Sequence, residues 1–325
     1  MKLKDTTISQ MNAFGKERIP FLFIISFDGK EVVLKRLDTV ESKDIQYNFN
    51  GIKNKYIPSS STLEKKVRLD FEPYNFTTYS NQFKRVQEEI FFGNTYLINL
   101  TTKTNLVTEV NLKEVFASAK AKYKLLYKDL FCCFSPETFV QIRDNCIYSF
   151  PIKGTIDGSI ANAREKLLNN EKETAEHYTI VDLIRNDLNL VAKQVKVDRF
   201  RYIDEIKTQK GSLLQMSSQI SGLLDENWNE NLGTIFSKLL PAGSITGAPK
   251  ERTVQIIKNV ENYERGFYTG VAGVFDGKTL DSAVLIRFIE KTEDGYCYKS
   301  GGGITMNSDV ISEYNELQHK IYIPK

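Results

Sequence analysis

The chain is short of histidine, cysteine and long apolar runs, and each shortage removes a class of function. Only two histidines, His177 and His319, occur in 325 residues, and the four cysteines, Cys132, Cys133, Cys146 and Cys297, form no CxxC pair. Nothing here supports a zinc site of thiolates and imidazoles. No stretch approaches the roughly 18 apolar residues of a membrane helix, and the opening MKLKDTTISQ has no apolar signal core. Free thiols without an export signal point to the cytosol. An excess of one charge is also missing: 44 basic and 41 acidic residues leave a formal +3. Without a basic arm or stripe, a nucleic-acid partner is not expected. The lysine-rich stretch 113–128 reads as the wet face of a helix, with Val115, Leu125, Leu126 and Leu130 between the charges.

What is present is enough to fold. The hydrophobic fraction is 41%, and 20 Phe with 16 Tyr can fill a sizeable core. Residues 19–36 read as two strands about a turn at Asp28-Gly29. The polar stretch 37–75, with Pro58 and the serines 59–61, reads as irregular. Helical spacing runs from Tyr79 to Phe92 and stops at Gly93. Strand-like runs occupy 95–101, 131–134, 138–142 and 146–152. Helices are predicted over 172–190, after Pro249 and over 309–321, with strands at 267–275 and 282–290. Strands and helices mix without strict alternation, which predicts an α+β fold of sheets covered by helices. No linker divides the chain, so 1–325 reads as one unit, a shortened N-terminal part (1–75) ahead of a core (76–325).

Three clusters carry chemistry. In ETAEHYTIVDLIRNDLNL (173–190), Glu173 and Glu176 share a helix side with Ile180 and Ile184. Near the C-terminus Glu313 and Glu316 repeat the spacing beside Val310, Leu317 and Ile321, with Lys320 one turn on. Carboxylates on apolar faces require a cation or many donors. Two such helices could cage a hard divalent ion such as Mg²⁺, although ordinary charged surface helices carry the same spacing. Glycine-rich SGGGIT (300–305) and PAGSITGAPK (241–250) could bring backbone N–H groups to an anion, though such loops are more often turns. Neither matches a dinucleotide or P-loop motif. In FPIKGT (150–155), Lys153 sits in an apolar strand, where an amine could attack carbon or simply reach solvent.

Together, SPE (135–137), PIKGT, EHYTIVDLIRNDL, PAGSITGAPKERT, FYTGVAGVFDG through IRF, and GGGITMNSDVISEYNEL resemble the chorismate-utilising enzymes over roughly residues 75–325. The family includes anthranilate, isochorismate, salicylate and aminodeoxychorismate synthases. The resemblance implies two face-packed sheets with helices outside, and chorismate bound beside Mg²⁺. Glu176 and Glu316 match direct magnesium ligands, and Glu173 and Glu313 the outer pair. Tyr268 and Arg287 match the holders of the enolpyruvyl carboxylate. Gly301, Gly302, Gly303 and Lys320 match groups that meet substrate anions, and Gly154, Thr155, Ser244 and Thr246 match the pocket lining. Glu137 matches the general acid for the C4 hydroxyl.

Within the family PIKGT marks the aminodeoxychorismate synthases, where the lysine attacks C2; anthranilate synthases carry alanine there. Two positions depart from the pattern. Leu97 replaces a Gln of aminating relatives or a Lys of hydroxylating ones. Gln215 stands where anthranilate synthases have a histidine, and it cannot shuttle protons near neutral pH. The LLES-type segment of the tryptophan site is missing, as is a GxCxGxQ glutaminase loop. Ammonia is therefore expected free or from a separate glutamine amidotransferase subunit. An anthranilate synthase large subunit and a non-catalytic chorismate-binding protein are the rival readings.

Overall fold

A computed structural model describes residues 3–54, 67–208 and 211–324. Its order comes from the antiparallel strands that the predicted runs become. One sheet of nine strands follows the order Ile152–Asp157, Gly211–Leu223, Cys146–Ser149, Thr138–Arg143, Leu280–Val284, Val271–Phe275, Phe21–Ile25, Val32–Arg36, with Lys193–Thr208 pairing on Gly211–Leu223. The other, of eight, runs Gly247–Ala248, Leu97–Leu106, Gly295–Ile304, Phe288–Thr292, Phe131–Ser135, Tyr123–Tyr127, Ile45–Phe49, Ile52–Lys53.

The two-residue period of a strand explains how the sheets pack. In Phe21–Ile25 every residue is buried, but the alternate positions go to different cores. Leu22 and Ile24 join Tyr47, Leu125, Phe131, Val274 and Phe288 between the sheets. Phe21, Phe23 and Ile25 point the other way, to a layer holding Met11, Ile180, Ile184 and Phe236 from covering helices. The outer face of the eight-stranded sheet is capped by Leu112, Val115 and Phe116 of the helix Leu112–Ser118. The α+β arrangement of face-packed sheets with helices outside is thus the one expected.

Several local readings need correction. Residues 37–75 are not wholly irregular: Ile45–Phe49 and Ile52–Lys53 are strands, while Pro58 and residues 59–61 lie outside the described residues. The stretch 113–128 is not one helix. It divides into Leu112–Ser118 and the strand Tyr123–Tyr127, where Leu125 and Leu126 serve opposite sheet faces and mimic helical spacing. The run 282–290 breaks between Leu280–Val284 and Phe288–Thr292, with Arg287 at φ 54° in the gap. Helices Asp5–Lys16, Ala163–Leu168 and Leu232–Leu239 and the long hairpin of Lys193–Thr208 with Gly211–Leu223 had no counterpart in the periodicity reading. Among the described residues, no helix is long and apolar enough to cross a membrane.

Candidate functional site

The site gathers where the chain passes between the sheets and where the strands Ile152–Asp157 and Gly295–Ile304 meet the acidic helices. Ser135 ends a strand of one sheet and Thr138 begins a strand of the other, so Glu137 occupies the crossing. Its carboxylate accepts a hydrogen bond from the Ser244 hydroxyl. Burial pushes the Glu137 pKa above the usual carboxylate range, against the Ser244 bond and the charges of Lys153, Arg287 and Lys320. A carboxyl whose acid form is favoured by burial, within the field of three cations, is suited to give a proton to a leaving group of an anion.

Lys153 owes its aim to a β-bulge. Across the edge ladder Ile152 pairs with Ser217 and Thr155 with Gln215, so Lys153 and Gly154 together oppose one residue. Gly154 takes φ 79°, a conformation that disfavours any side chain. A Cβ there would also stand 3.2 Å from Glu173 Oε2. The Lys153 amine lies 3.4 Å from Glu176 Oε2 and 3.2 Å from where a Cβ on Gly303 would be. Leu97 Cδ1 stands at the same 3.2 Å from that point, so this strand offers a methyl group beside the amine.

Gly301, Gly302 and Gly303 form no nest. They are extended in the strand Gly295–Ile304, paired with Thr101, Leu100 and Asn99. Their service is the absent side chain: Glu313 Oε2 is 3.3 Å and Lys320 Nζ 4.0 Å from the Cβ position of Gly302. Lys320 Nζ donates to Gly301 O at 2.8 Å and pairs with Glu316 at 2.7 Å. Glu313 accepts from the Ser308 hydroxyl at 2.8 Å. Both acidic helices start from a side-chain cap, Asn170 and Asp309, which places Glu173 and Glu313 in the first turn at the positive helix end.

Carboxylate oxygens have the chemistry of a hard divalent ion's ligands. Among the described residues, however, no three His, Cys, Asp or Glu groups lie close enough together to hold a metal. Glu176 and Glu316 each meet a lysine instead. Arg287 carries a buried Nε without a hydrogen-bond partner, an unmet donor next to the buried Tyr268. Thr246 is fully buried and donates to Ala242 O at 2.8 Å; Thr155 is exposed, and Gln215 is its ladder partner.

Sequence reasoning assigned no role to three further groups. His177 is fully buried, bonded to Ser218 at 2.7 Å, its pKa lowered to about 4 by burial, Arg201 and Lys153. Buried Asp187 with half-buried Lys250, and the buried pair of Arg265 with Glu261, flank the loop that bears Ser244. Asp187 and Lys250 stood in quoted motifs, yet spacing alone gives no sign that they meet.

Two face-packed antiparallel sheets with a carboxyl of raised pKa at their crossing, a bulge-aimed lysine and two acidic helices define a two-sheet α+β protein with an enzyme-like site. The chain belongs to the chorismate binding enzyme family, whose pattern matches residues 26–324. A Haemophilus influenzae protein called an uncharacterized PabA-like protein is 48% identical over 319 residues, 98% of this chain and 96% of that one. Aminodeoxychorismate synthase component 1 of Bacillus subtilis is 30% identical over 265 residues, 77% of this chain and 55% of that protein. The chain thus spans little more than half of that relative. The solved menaquinone-specific isochorismate synthase of Escherichia coli matches with TM-score 0.72 over 97% of this chain and 79% of its own, at 16% identity.

Proposed function

We propose that this chain aminates chorismate at C4, giving 4-amino-4-deoxychorismate, with ammonia supplied in the cytosol by a separate glutamine amidotransferase subunit. The observation that carries the reading is Glu137, bonded to Ser244 and with its pKa raised by burial against the charges of Lys153, Arg287 and Lys320. In this scheme the Lys153 amine bonds to C2 of the ring, the double bonds shift, and the C4–O bond breaks. The departing hydroxyl takes the Glu137 proton and leaves as water. Ammonia then bonds to C4, the electrons return, and the C2–N bond to Lys153 breaks. Dividing one substitution into two steps is the gain from covalent catalysis. Arg287, with its unmet Nε, and Tyr268 would hold the enolpyruvyl carboxylate, while Gly301–303, Lys320, Gly154, Thr155, Gln215, Ser244 and Thr246 would line the pocket. Were Glu173, Glu176, Glu313 and Glu316 to draw closer together than they stand here, they would hold Mg²⁺, which would supply charge to neutralise the ring carboxylate.

The test is incubation with chorismate, Mg²⁺ and ammonium, followed by mass spectrometry. The expected product is the C4 amine. Fluorescent anthranilate without a second enzyme, or no turnover at all, would defeat the reading. Lys153→Ala should slow the reaction and shift amination toward C2. Unchanged C4 amination at the wild-type rate would remove the lysine from the mechanism. Because Glu137 must be protonated to act, turnover should fall as pH rises through its elevated pKa.

A further inference from the structure

The groups that hold Ser244 against Glu137 form a closed arrangement. Asp187, near the end of the helix Glu171–Asn189, is 8% exposed and pairs with Lys250 Nζ at 2.7 Å. The same carboxylate packs against the backbone of Gly243. Lys250 Nζ also donates to Leu239 O at 2.8 Å. Residues 239–250 are thereby drawn into a ring whose two ends meet at one lysine. Gly243 must be bare: a Cβ would stand 2.8 Å from Asp187 Oδ2 and 3.0 Å from the Leu183 side chain. On the other side of Ser244, Arg265 donates to Ile245 O at 3.0 Å while paired with Glu261. Ser244 is therefore the residue between two anchored peptides, and its hydroxyl meets the acid.

We propose that Asp187 is a positioning residue for the acid: by fixing Gly243 it holds the Ser244 hydroxyl on Glu137, with half-buried Lys250 as its counter-ion. This rests on the reading of Glu137 as the general acid. A carboxylate removed from water is costly unless a cation meets it, and here Lys250 does. Closing a loop could be done by apolar contact alone. A carboxylate held by a lysine and packed against one bare peptide also fixes the direction in which the next side chain points.

The test is a double-mutant cycle of Asp187→Asn and Ser244→Ala. Ser244 lowers the Glu137 pKa, so losing its bond should let that pKa rise. Each single variant should cut kcat about tenfold or more, leave KM for chorismate little changed, and move the alkaline limb of the pH profile upward. Asp187→Asn added to Ser244→Ala should change neither kcat nor the limb further. Additive losses with an unmoved limb would overturn the proposal. Gly243→Ala, which pushes the loop off Asp187 but keeps its ion pair, should shift the limb likewise and serves if Asp187→Asn does not fold. Carbon-13 titration of the Glu137 carboxyl reads the contact without turnover: an upward shift in Asp187→Asn supports the proposal and no shift sinks it. Glu137→Gln separates the two ideas, since wild-type turnover there would end the acid reading while the titration still decides the role of Asp187.

Discussion

The two acidic helices begin alike and end in different environments. Both open on an Asx cap and carry two glutamates three residues apart. In Glu171–Asn189 the buried glutamate is the second, Glu176, at 8% exposure; in Val310–His319 it is the first, Glu313, at 3%. The difference follows from the i,i+4 row on which each apolar ladder runs. Glu176 leads to Ile180, Ile184 and Leu188, and Glu313 leads to Leu317 and Ile321, all buried. The partners differ as well. Glu176 meets Lys153 from another strand, whereas exposed Glu316 meets Lys320 of its own helix. Identical spacing thus fixes which two glutamates lie near each other, and the apolar row decides which one turns inward.

Activity and stability should sort these four residues differently, which is the sharpest way to break the comparison. If the magnesium assignment is right, Glu176→Gln and Glu316→Gln should abolish turnover, and excess EDTA should do the same until Mg²⁺ is restored. Glu173→Gln and Glu313→Gln should cost less, about 10–100-fold in kcat. Full activity in excess EDTA would end the metal proposal while leaving the burial difference intact. For stability, Glu176→Gln strips a partly buried lysine of its anion and should cost about 1–3 kcal/mol in urea unfolding. Glu316→Gln removes an exposed pair worth at most about 1 kcal/mol. Equal losses would mean that depth carries no energetic weight here.

The neighbouring glycines extend the contrast at a smaller scale. Gly154→Ala combines a positive φ with a crowded Glu173 and should cost about 1–3 kcal/mol. Gly302→Ala keeps an extended backbone and meets only the Glu313 carboxylate at 3.3 Å and the Lys320 amine at 4.0 Å, so a smaller fall in melting temperature is expected. Matching falls would show that crowding, not backbone conformation, governs both positions.

Much of this was legible in the residues. The helix Phe76–Phe91 follows the buried row Tyr79, Phe83, Val86, Ile90 that its spacing announced. The acidic helices and the strands about Glu137 and Lys153 fell within a few residues of their predicted places. Strands buried on both faces read less well, because without polar alternation they look like helix segments, as at Leu125 and Leu126. The hairpin partner strand Lys193–Thr208 was hidden for the opposite reason, being mostly polar. In the candidate site, side-chain types were readable but the devices that aim them were not. The bulge at Lys153, the extended glycine run and the Asp187–Lys250 pair depend on residues distant in the chain.

The pairing of Phe21–Ile25 with Val271–Phe275 also sets a schedule for the chain in the making. The early strand lies buried on both faces, yet its neighbour leaves the ribosome some 250 residues later, about 12–50 s at ordinary rates of synthesis. Throughout that interval FLFII has only the hairpin partner Val32–Arg36 to shield one edge. Such distant pairing makes for slow folding and a long-lived sticky segment. Nascent chains stalled before residue 271 should therefore expose this strand to capture, and release past residue 284 should hide it.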